Sequence, residues 1–137
     1  MGEVRTEITL VNIEDTMKAR NELIFESEIR RLTVGAVVDT GAWTLVINEA
    51  TREKLELQIT ETDPGTLADG TNGKYDLAGP LRVHWKDRAM VCEALVLPHA
   101  KEVLLGAIPL EAMDLTVHSR TEEVAGAHGD QLLHFIG

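Results

Sequence analysis

The chain is 137 residues long, a length that suits one domain with a substantial hydrophobic core. Its 44% hydrophobic and 26% charged residues are typical of globular proteins, and its 4% aromatic content leaves the core to aliphatic side chains. The net charge of −10 is spread along the chain, whereas nucleic acids and anionic membranes attract clustered Lys and Arg. We therefore expect neither a nucleic-acid partner nor a membrane partner.

The N-terminal part of the chain predicts two strands around a helical or irregular segment. Residues 3–12 alternate between polar and apolar types, as in a half-buried strand. Residues 13–23 contain good helix formers and favour a short helix or a structured loop. Residues 30–39 predict a second, apolar strand, in which Gly35 indicates a bulge.

The middle of the chain predicts a strand, a helix and a hairpin. Residues 43–47 are strand-like, and Asn48 is typical of the cap that begins a short helix, here over residues 49–57. Residues 66–85 predict a hairpin, because the sequence Asp-Gly-Thr-Asn-Gly at 69–73 is rich in turn-forming residues.

The C-terminal part predicts further short strands and one more helix. Pro109 suits the first residue of a helix over residues 109–115. The predicted strands are 89–98, 102–106, 115–119 and 132–136. No parallel-sheet crossover is recognisable, and the predicted class is mainly β.

The only cysteine, Cys92, excludes an internal disulfide and fits a reducing compartment. It lies in the apolar run Met-Val-Cys-Glu-Ala-Leu-Val-Leu, which favours a buried small hydrophobe over a reactive thiol. The N-terminal sequence does not have the basic and then apolar regions of a secretory signal. We therefore expect a cytoplasmic protein.

A single carboxylate, that of Asp39, interrupts the apolar stretch from Leu32 to Ile47. An ionised carboxylate is costly to bury without a partner, so its position needs an explanation. It is either a plain Asp-Thr-Gly turn, with local backbone groups donating to the carboxylate, or a catalytic group. Catalysis is favoured by the strand before it, by the small Gly41 beside it, and by a later Leu-Leu-Gly element at 104–106.

Together these features resemble the retropepsin-like aspartic proteases, the single-lobe relatives of pepsin that include the retroviral proteases. The resemblance covers about residues 7–119. Its three elements are the strand and turn GAVVDTGAWTLVI, the hairpin LADGTNGKY in the place of the family's flap, and LLG before a short helix. ITLVN and LLGAIPLEAMDL look more like the small bacterial members than the viral ones. The resemblance implies a single-lobe closed β-barrel with one or two short helices, forming one domain over residues 1–137.

The chemistry of these enzymes requires two carboxyl groups. One takes a proton from the attacking water while the other donates to the carbonyl, and at about 3 Å apart the two share one proton. Pepsin has two lobes with one aspartate each, whereas this chain has one such motif. The resemblance therefore implies a twofold homodimer that pairs Asp39 with its own copy.

The resemblance also assigns roles to individual residues. Thr40 would hydrogen-bond across the dyad, the Gly41 carbonyl would bind the substrate backbone, and Ala42 would line the floor beside it. The element Leu104, Leu105 and Gly106 would pack under the Asp39 turn. The flap residues Leu67, Ala68, Asp69, Gly70 and Thr71 would close over an extended peptide, although an ordinary surface hairpin would have the same composition.

Two departures from the viral pattern occur together. Trp43 and Thr44 occupy the positions of two acidic residues, and Ala107 replaces the arginine that pairs with one of them. This loss puts the viral form of the dimer interface in doubt. Trp43 is then an apolar subsite, an interface anchor or an ordinary core residue.

The remaining sequence features suggest no further chemistry. His118, His128 and His134 are loosely spaced with no cysteine among them, so we expect no metal site and no cofactor. Residues 120–137 extend beyond the match. Their strand-like segment 132–136 is either an interface strand or an edge strand within one copy.

The leading hypothesis is a bacterial, cytoplasmic aspartic endopeptidase that cleaves peptides or unfolded proteins as a homodimer. The alternative is a catalytically inactive module that keeps the fold for dimerisation or peptide binding. An unrelated β-barrel, in which Asp-Thr-Gly is only a turn, is a third possibility.

Overall fold

The computed structural model describes residues 3–66, 72–118, 120–121 and 123–127. Within these ranges the chain forms nine strands, three short α-helices and one turn of 3-10 helix, which confirms the mainly β class. The strands are β1 Arg5–Asn12, β2 Arg31–Val38, β3 Leu45–Ile47, β4 Gln58–Thr66, β5 Asn72–Trp85, β6 Arg88–Val96, β7 Val103–Leu105, β8 Leu115–His118 and β9 Glu123–Gly126. The helices are α1 Ile13–Arg20, α2 Glu49–Leu55 and α3 Ala107–Ala112, with the 3-10 turn at Glu26–Glu28.

Six of the strands close into a barrel. The sheet order is β1-β2-β7-β3-β6-β5-β4, and an additional pairing of β1 with β5 joins the sheet to itself. Strand β4 pairs only with β5 and so lies outside the closed ring. Closure leaves the ring strands paired on both sides, and their inward-facing residues form the core.

The barrel is mixed, which the sequence did not predict. Strands β2 and β7 pair in parallel, as do β3 and β6, while the other pairs are antiparallel. The strands of each parallel pair are separated by several other elements rather than by one crossover helix. No local sequence pattern therefore predicts these two parallel pairs.

The predicted hairpin exists, but its first strand begins earlier than expected. Strand β4 pairs antiparallel with β5, with Gln58 opposite Gly79 and Thr66 opposite Asn72. The sequence of β4, QITETDPGT, contains a proline and little alternation, which is tolerated because β4 is an edge strand. The predicted flap residues 67–71 lie outside the described residues.

Three other local expectations need correction. The pairing of β1 with β2 runs through Gly35, opposite Glu7, without a register shift, so Gly35 is not a bulge. Helix α3 begins at Ala107, with Gly106 as its N-cap, so Pro109 is its third residue rather than its first. Strand β9 was not predicted, and the predicted strand 132–136 lies outside the described residues.

The core is almost entirely aliphatic. Its largest fully buried side chains come from strands of the barrel, from the segment around α2 and from α3 with the residue after it: Ile8, Leu10, Leu45, Ile47, Leu55, Leu57, Leu81, Val83, Val96, Leu105, Pro109 and Met113. None of the helices in the described ranges is long and apolar enough to cross a membrane.

Asn12 joins two parts of the fold at the end of β1. Its side chain is buried; its Oδ1 accepts a hydrogen bond from the Asp15 backbone at 3.1 Å and its Nδ2 donates to the Leu55 carbonyl at 2.8 Å. The first bond caps α1, and the second holds the end of α2 against the start of α1.

We expect Asn12→Ala to lower the free energy of unfolding by about 1–3 kcal/mol, because it removes a cap and leaves a buried carbonyl without its donor. Urea unfolding followed by circular dichroism measures the change. The matched control is Asn21→Ala, since Asn21 is exposed at the end of α1 and holds the helix through its backbone. Equal stabilities of the two variants would contradict this assignment.

Candidate active site

Asp39 lies at the end of β2, where the barrel holds it through a parallel pairing. Val37 and Val38 are opposite Leu104 and Leu105 of β7, and the Asp39 N–H donates to the Leu105 carbonyl at 3.0 Å. The position of Asp39 is therefore set by the ladder itself, since the strand pairing continues one residue into the turn.

The turn is closed by its own hydrogen bonds. Asp39 Oδ1 accepts from the Gly41 N–H at 2.9 Å, and the Asp39 carbonyl accepts from the Ala42 N–H at 3.1 Å. A Cβ at Gly41 would lie 3.1 Å from Asp39 Oδ1, so a small residue keeps this arrangement relaxed. The local turn expected from Asp-Thr-Gly is present, and it orients the half-buried carboxylate.

A second clamp joins this turn to the start of α3. The N–H of Ala107 donates to the Ala42 carbonyl at 2.8 Å, and that of Ile108 donates to the Trp43 carbonyl at 3.0 Å. These two amides belong to the first turn of α3, where backbone donors have no partner within the helix. The carbonyls of Ala42 and Trp43 thus accept hydrogen bonds from amides that have no partner within α3, and the same bonds hold this loop against the helix.

Gly106 is the point of closest contact between the two segments. A Cβ built there would lie 2.6 Å from the Ala42 carbonyl oxygen and 2.8 Å from the Thr44 nitrogen, and closer still to the Thr44 oxygen. All of these are backbone atoms, which cannot move aside as a flexible side chain can. The structure thus brings Leu105 and Gly106 against the Asp39 turn. A residue with a Cβ atom would not fit at position 106 beside the Thr44 backbone.

An open groove of about 510 Å³ lies beside Asp39. Its lining combines the Asp39 carboxylate and Thr40 with aliphatic side chains and one further acid: Glu3, Val4, Val37, Val38 and Val117. Thr40 and Gly41 are exposed at its edge. The Asp39 carboxylate is thus half-buried and still open to solvent, in a groove that combines polar groups with valine side chains.

Trp43 is not a core residue. Its side chain is 56% exposed, and Ile108, whose amide binds the Trp43 carbonyl, is 48% exposed. Thr44, by contrast, is buried. The sequence did not single out Ile108, because it precedes the helix predicted over residues 109–115 and its exposure depends on the whole fold.

Other chemically capable groups lie away from this site. Cys92 is half-buried in β6 against the core, and desolvation raises the pKa of its thiol to about 11. Burial, with the charges of Arg82 and Arg31, lowers the pKa of His84. The part of the chain that the structure describes contains no group of three His, Cys, Asp or Glu side chains placed to hold a metal.

Comparison with solved structures identifies the fold. The chain is similar to the retroviral protease-like domain of Ddi1 from Leishmania major, with a TM-score of 0.57, 15% sequence identity, and coverage of 91% of this chain and 88% of that one. The chain therefore has the retropepsin-like fold, as the sequence resemblance implied.

Two further structures match. The EIAV protease in complex with the inhibitor HBY-793 has a TM-score of 0.43 and 25% identity, over 58% of this chain and 75% of that one. A retropepsin-like aspartic protease from Rickettsia conorii has a TM-score of 0.48 and 15% identity, over 86% and 89%. No protein-family model matches the chain, and no curated protein matches its sequence.

Gly106→Ala should lower the free energy of unfolding by about 3 kcal/mol or more, because the added methyl group has no space between two backbone segments. The matched control is Gly35→Ala, where a Cβ meets nothing within 4 Å and the stability should change by less than about 1 kcal/mol. Urea unfolding of both variants measures the difference. A Gly106→Ala protein as stable as the Gly35→Ala protein would show that the two segments are not in contact.

Proposed function

We propose that the protein is a homodimeric aspartic endopeptidase, with residues 1–137 forming one catalytic domain per copy. The observation that carries the proposal is the position of Asp39, at the end of β2 in a retropepsin-like fold, oriented by its own turn beside an open groove. Asp39 and its symmetry mate would activate a water for attack on a peptide carbonyl. One carboxylate takes the proton of the water while the other, protonated, donates to the carbonyl oxygen.

The second carboxyl group comes from the second copy in this proposal. Glu3 lines the same groove, but its Oε2 accepts from Arg5 at 2.7 Å, and Arg5 also pairs with Glu102. Because the Glu3 carboxylate is already engaged with Arg5, we do not assign it as the partner of Asp39. A twofold axis beside the Asp39 turn instead supplies an identical group in an identical setting.

The other site residues take supporting roles. Thr40 and Gly41, exposed at the edge of the groove, would hold the paired turns together and bind the substrate backbone, with Ala42 lining the floor. Residues 104–106 would keep the turn rigid, and residues 67–71 would cover an extended peptide added as a strand. The substrates would be peptides or unfolded proteins, since an extended backbone is what such a groove accepts.

Asp39→Asn should reduce cleavage of an unfolded protein such as β-casein by about 10²-fold or more, because an amide cannot accept and return the proton. Cleavage is followed by mass spectrometry of the products at mildly acidic and neutral pH. The matched control is Glu3→Gln, an acid in the same groove, which should keep most of the activity. Equal cleavage by wild type and Asp39→Asn would refute the proposal, and loss of activity only in Glu3→Gln would assign the second acid to Glu3.

Mixing the wild-type protein with Asp39→Asn tests whether the active form is a dimer. Adding an equal amount of Asp39→Asn to a fixed amount of wild type leaves about half of the wild-type chains paired with an inactive copy. Activity should then fall to about half, whereas adding Glu3→Gln should not lower it. An undiminished rate after equilibration would mean that each copy works alone.

Trp43 is expected to lie at the interface between the copies. It is four residues from Asp39, so its backbone lies within about 14 Å of that residue and, in the proposed dimer, close to the twofold axis. Its exposed ring and the exposed Ile108 form an apolar surface at the place where the viral enzymes carry an ion pair. Large aromatic side chains are the commonest anchors of such interfaces.

Trp43→Ala should therefore weaken the dimer by about tenfold or more, as measured by sedimentation equilibrium. Val91→Ala is the matched control, because Val91 is 49% exposed on β6. A Trp43→Ala protein with unchanged self-association, but with a raised KM, would place the ring in a substrate subsite instead.

A further inference from the structure

Two large apolar side chains project into solvent from the connection between α1 and β2. Leu23 is 72% exposed and Phe25 is 78% exposed, the highest values among the large hydrophobic side chains that the structure describes. Single exposed apolar residues are common on protein surfaces, but two such side chains in one short loop suggest a contact surface.

The loop is held in this conformation by its own hydrogen bonds. The Leu23 N–H donates to the Lys18 carbonyl at 2.8 Å, and the Phe25 N–H donates to Glu28 Oε2 at 2.7 Å. The Glu28 N–H in turn donates to the Phe25 carbonyl at 2.9 Å. Leu23 and Phe25 are thus displayed by a preorganised backbone, which lowers the entropy cost of binding.

The base of the loop is anchored to α1. Asp15 is buried, and its carboxylate accepts from the Arg30 backbone at 3.0 Å and pairs with the Arg30 guanidinium at 3.1 Å. Arg30 also pairs with Glu56, the residue that ends α2. These contacts anchor the connection where it enters β2, and the bond from Leu23 to Lys18 anchors it where it leaves α1. The exposure of Leu23 and Phe25 is therefore a property of an anchored loop.

Leu23 and Phe25 line a shallow groove of about 420 Å³. The same lining contains three carboxylates, those of Glu22, Glu26 and Glu28, and no lysine or arginine. The surface therefore combines apolar anchors with negative charge. We name it the acidic groove.

We propose that the acidic groove binds a basic amphipathic segment of a partner protein, its apolar side chains on Leu23 and Phe25 and its Lys or Arg side chains facing the three glutamates. Such segments are recognised by apolar anchors in a groove, with complementary charge setting the orientation. A second copy of the chain is the wrong occupant, because a twofold contact would place six glutamates together without a cation from either lining.

This surface is separate from the proposed active site. The loop enters β2 at Arg31 and Asp39 follows its last residue, Val38. Eight strand residues span about 23 Å, so the acidic groove and Asp39 lie towards opposite ends of the strand. Binding at the groove therefore does not depend on peptidase activity.

The test uses the 137-residue chain, labelled with ¹⁵N and carrying Asp39→Asn so that the probe is not cleaved. The probe is an amphipathic peptide of about 18 leucines and lysines at helical spacing. We expect the largest amide shifts between residues 19 and 28. The double substitution Leu23→Ser with Phe25→Ser should weaken binding at least tenfold, whereas Ile59→Ser with Val91→Ser, at other exposed apolar positions, should leave it unchanged.

A second probe separates charge from apolar contact. The same peptide with every lysine replaced by glutamate should bind at least tenfold more weakly. Shifts spread over the whole surface, equal binding of the Leu23/Phe25 variant, or equal binding of the two peptides would each overturn the proposal. It would also be overturned if sedimentation showed a self-association that the Leu23/Phe25 substitutions abolish, because the occupant would then be a second copy.

Discussion

The backbone contact at Gly106 is the constraint on which the geometry of the candidate site depends. The end of β7 and the start of α3 pass so close to residues 42–44 that no side chain fits between them. The amides of Ala107 and Ile108 can reach the loop carbonyls only because of this approach. One glycine therefore connects a strand pairing, a helix start and the Asp39 turn in a single rigid unit. Rigid support of this kind is what a catalytic group needs to keep its orientation.

The rigid turn also bears on the proposed dimer. The Asp39 carboxylate is fixed by Gly41 and still open to the groove, and the neighbouring acid, Glu3, is paired with Arg5. The same turn also leaves Trp43 and Ile108 in solvent, which costs free energy in an isolated chain. In the proposed dimer, a second copy placed on this face would supply the second carboxyl group and cover the apolar side chains. One symmetric contact would then meet both requirements.

Much of the architecture was predictable from local patterns, because alternation, caps and turn residues act over a few positions. The strands on both sides of Asp39 and the Asn48 cap of α2 are examples. The family resemblance implied a closed barrel, but the parallel pairs and the particular pairing of β1 with β5 that closes it were not predicted, since they join segments distant in sequence. Strand β4 was expected within the hairpin but begins earlier than its sequence pattern indicated. For the site, the sequence singled out Asp39 and residues 104–106. Side-chain exposure is a property of the whole fold, and for this reason the roles of Trp43, Ile108 and the loop at Leu23 were left open or missed.

The distribution of charge distinguishes the two proposed contact surfaces. A net charge of −10 opposes contact between two copies over most of the surface, so a stable interface between copies needs a face with little uncompensated charge. The face around Asp39 fits this need better, because four of the seven residues that line its groove are valines and Glu3 is paired with Arg5, which also binds Glu102. The acidic groove does not, because its three glutamates would repel their own copies. Charge is thus compatible with the proposed self-association at one end of β2 and with the proposed basic partner at the other.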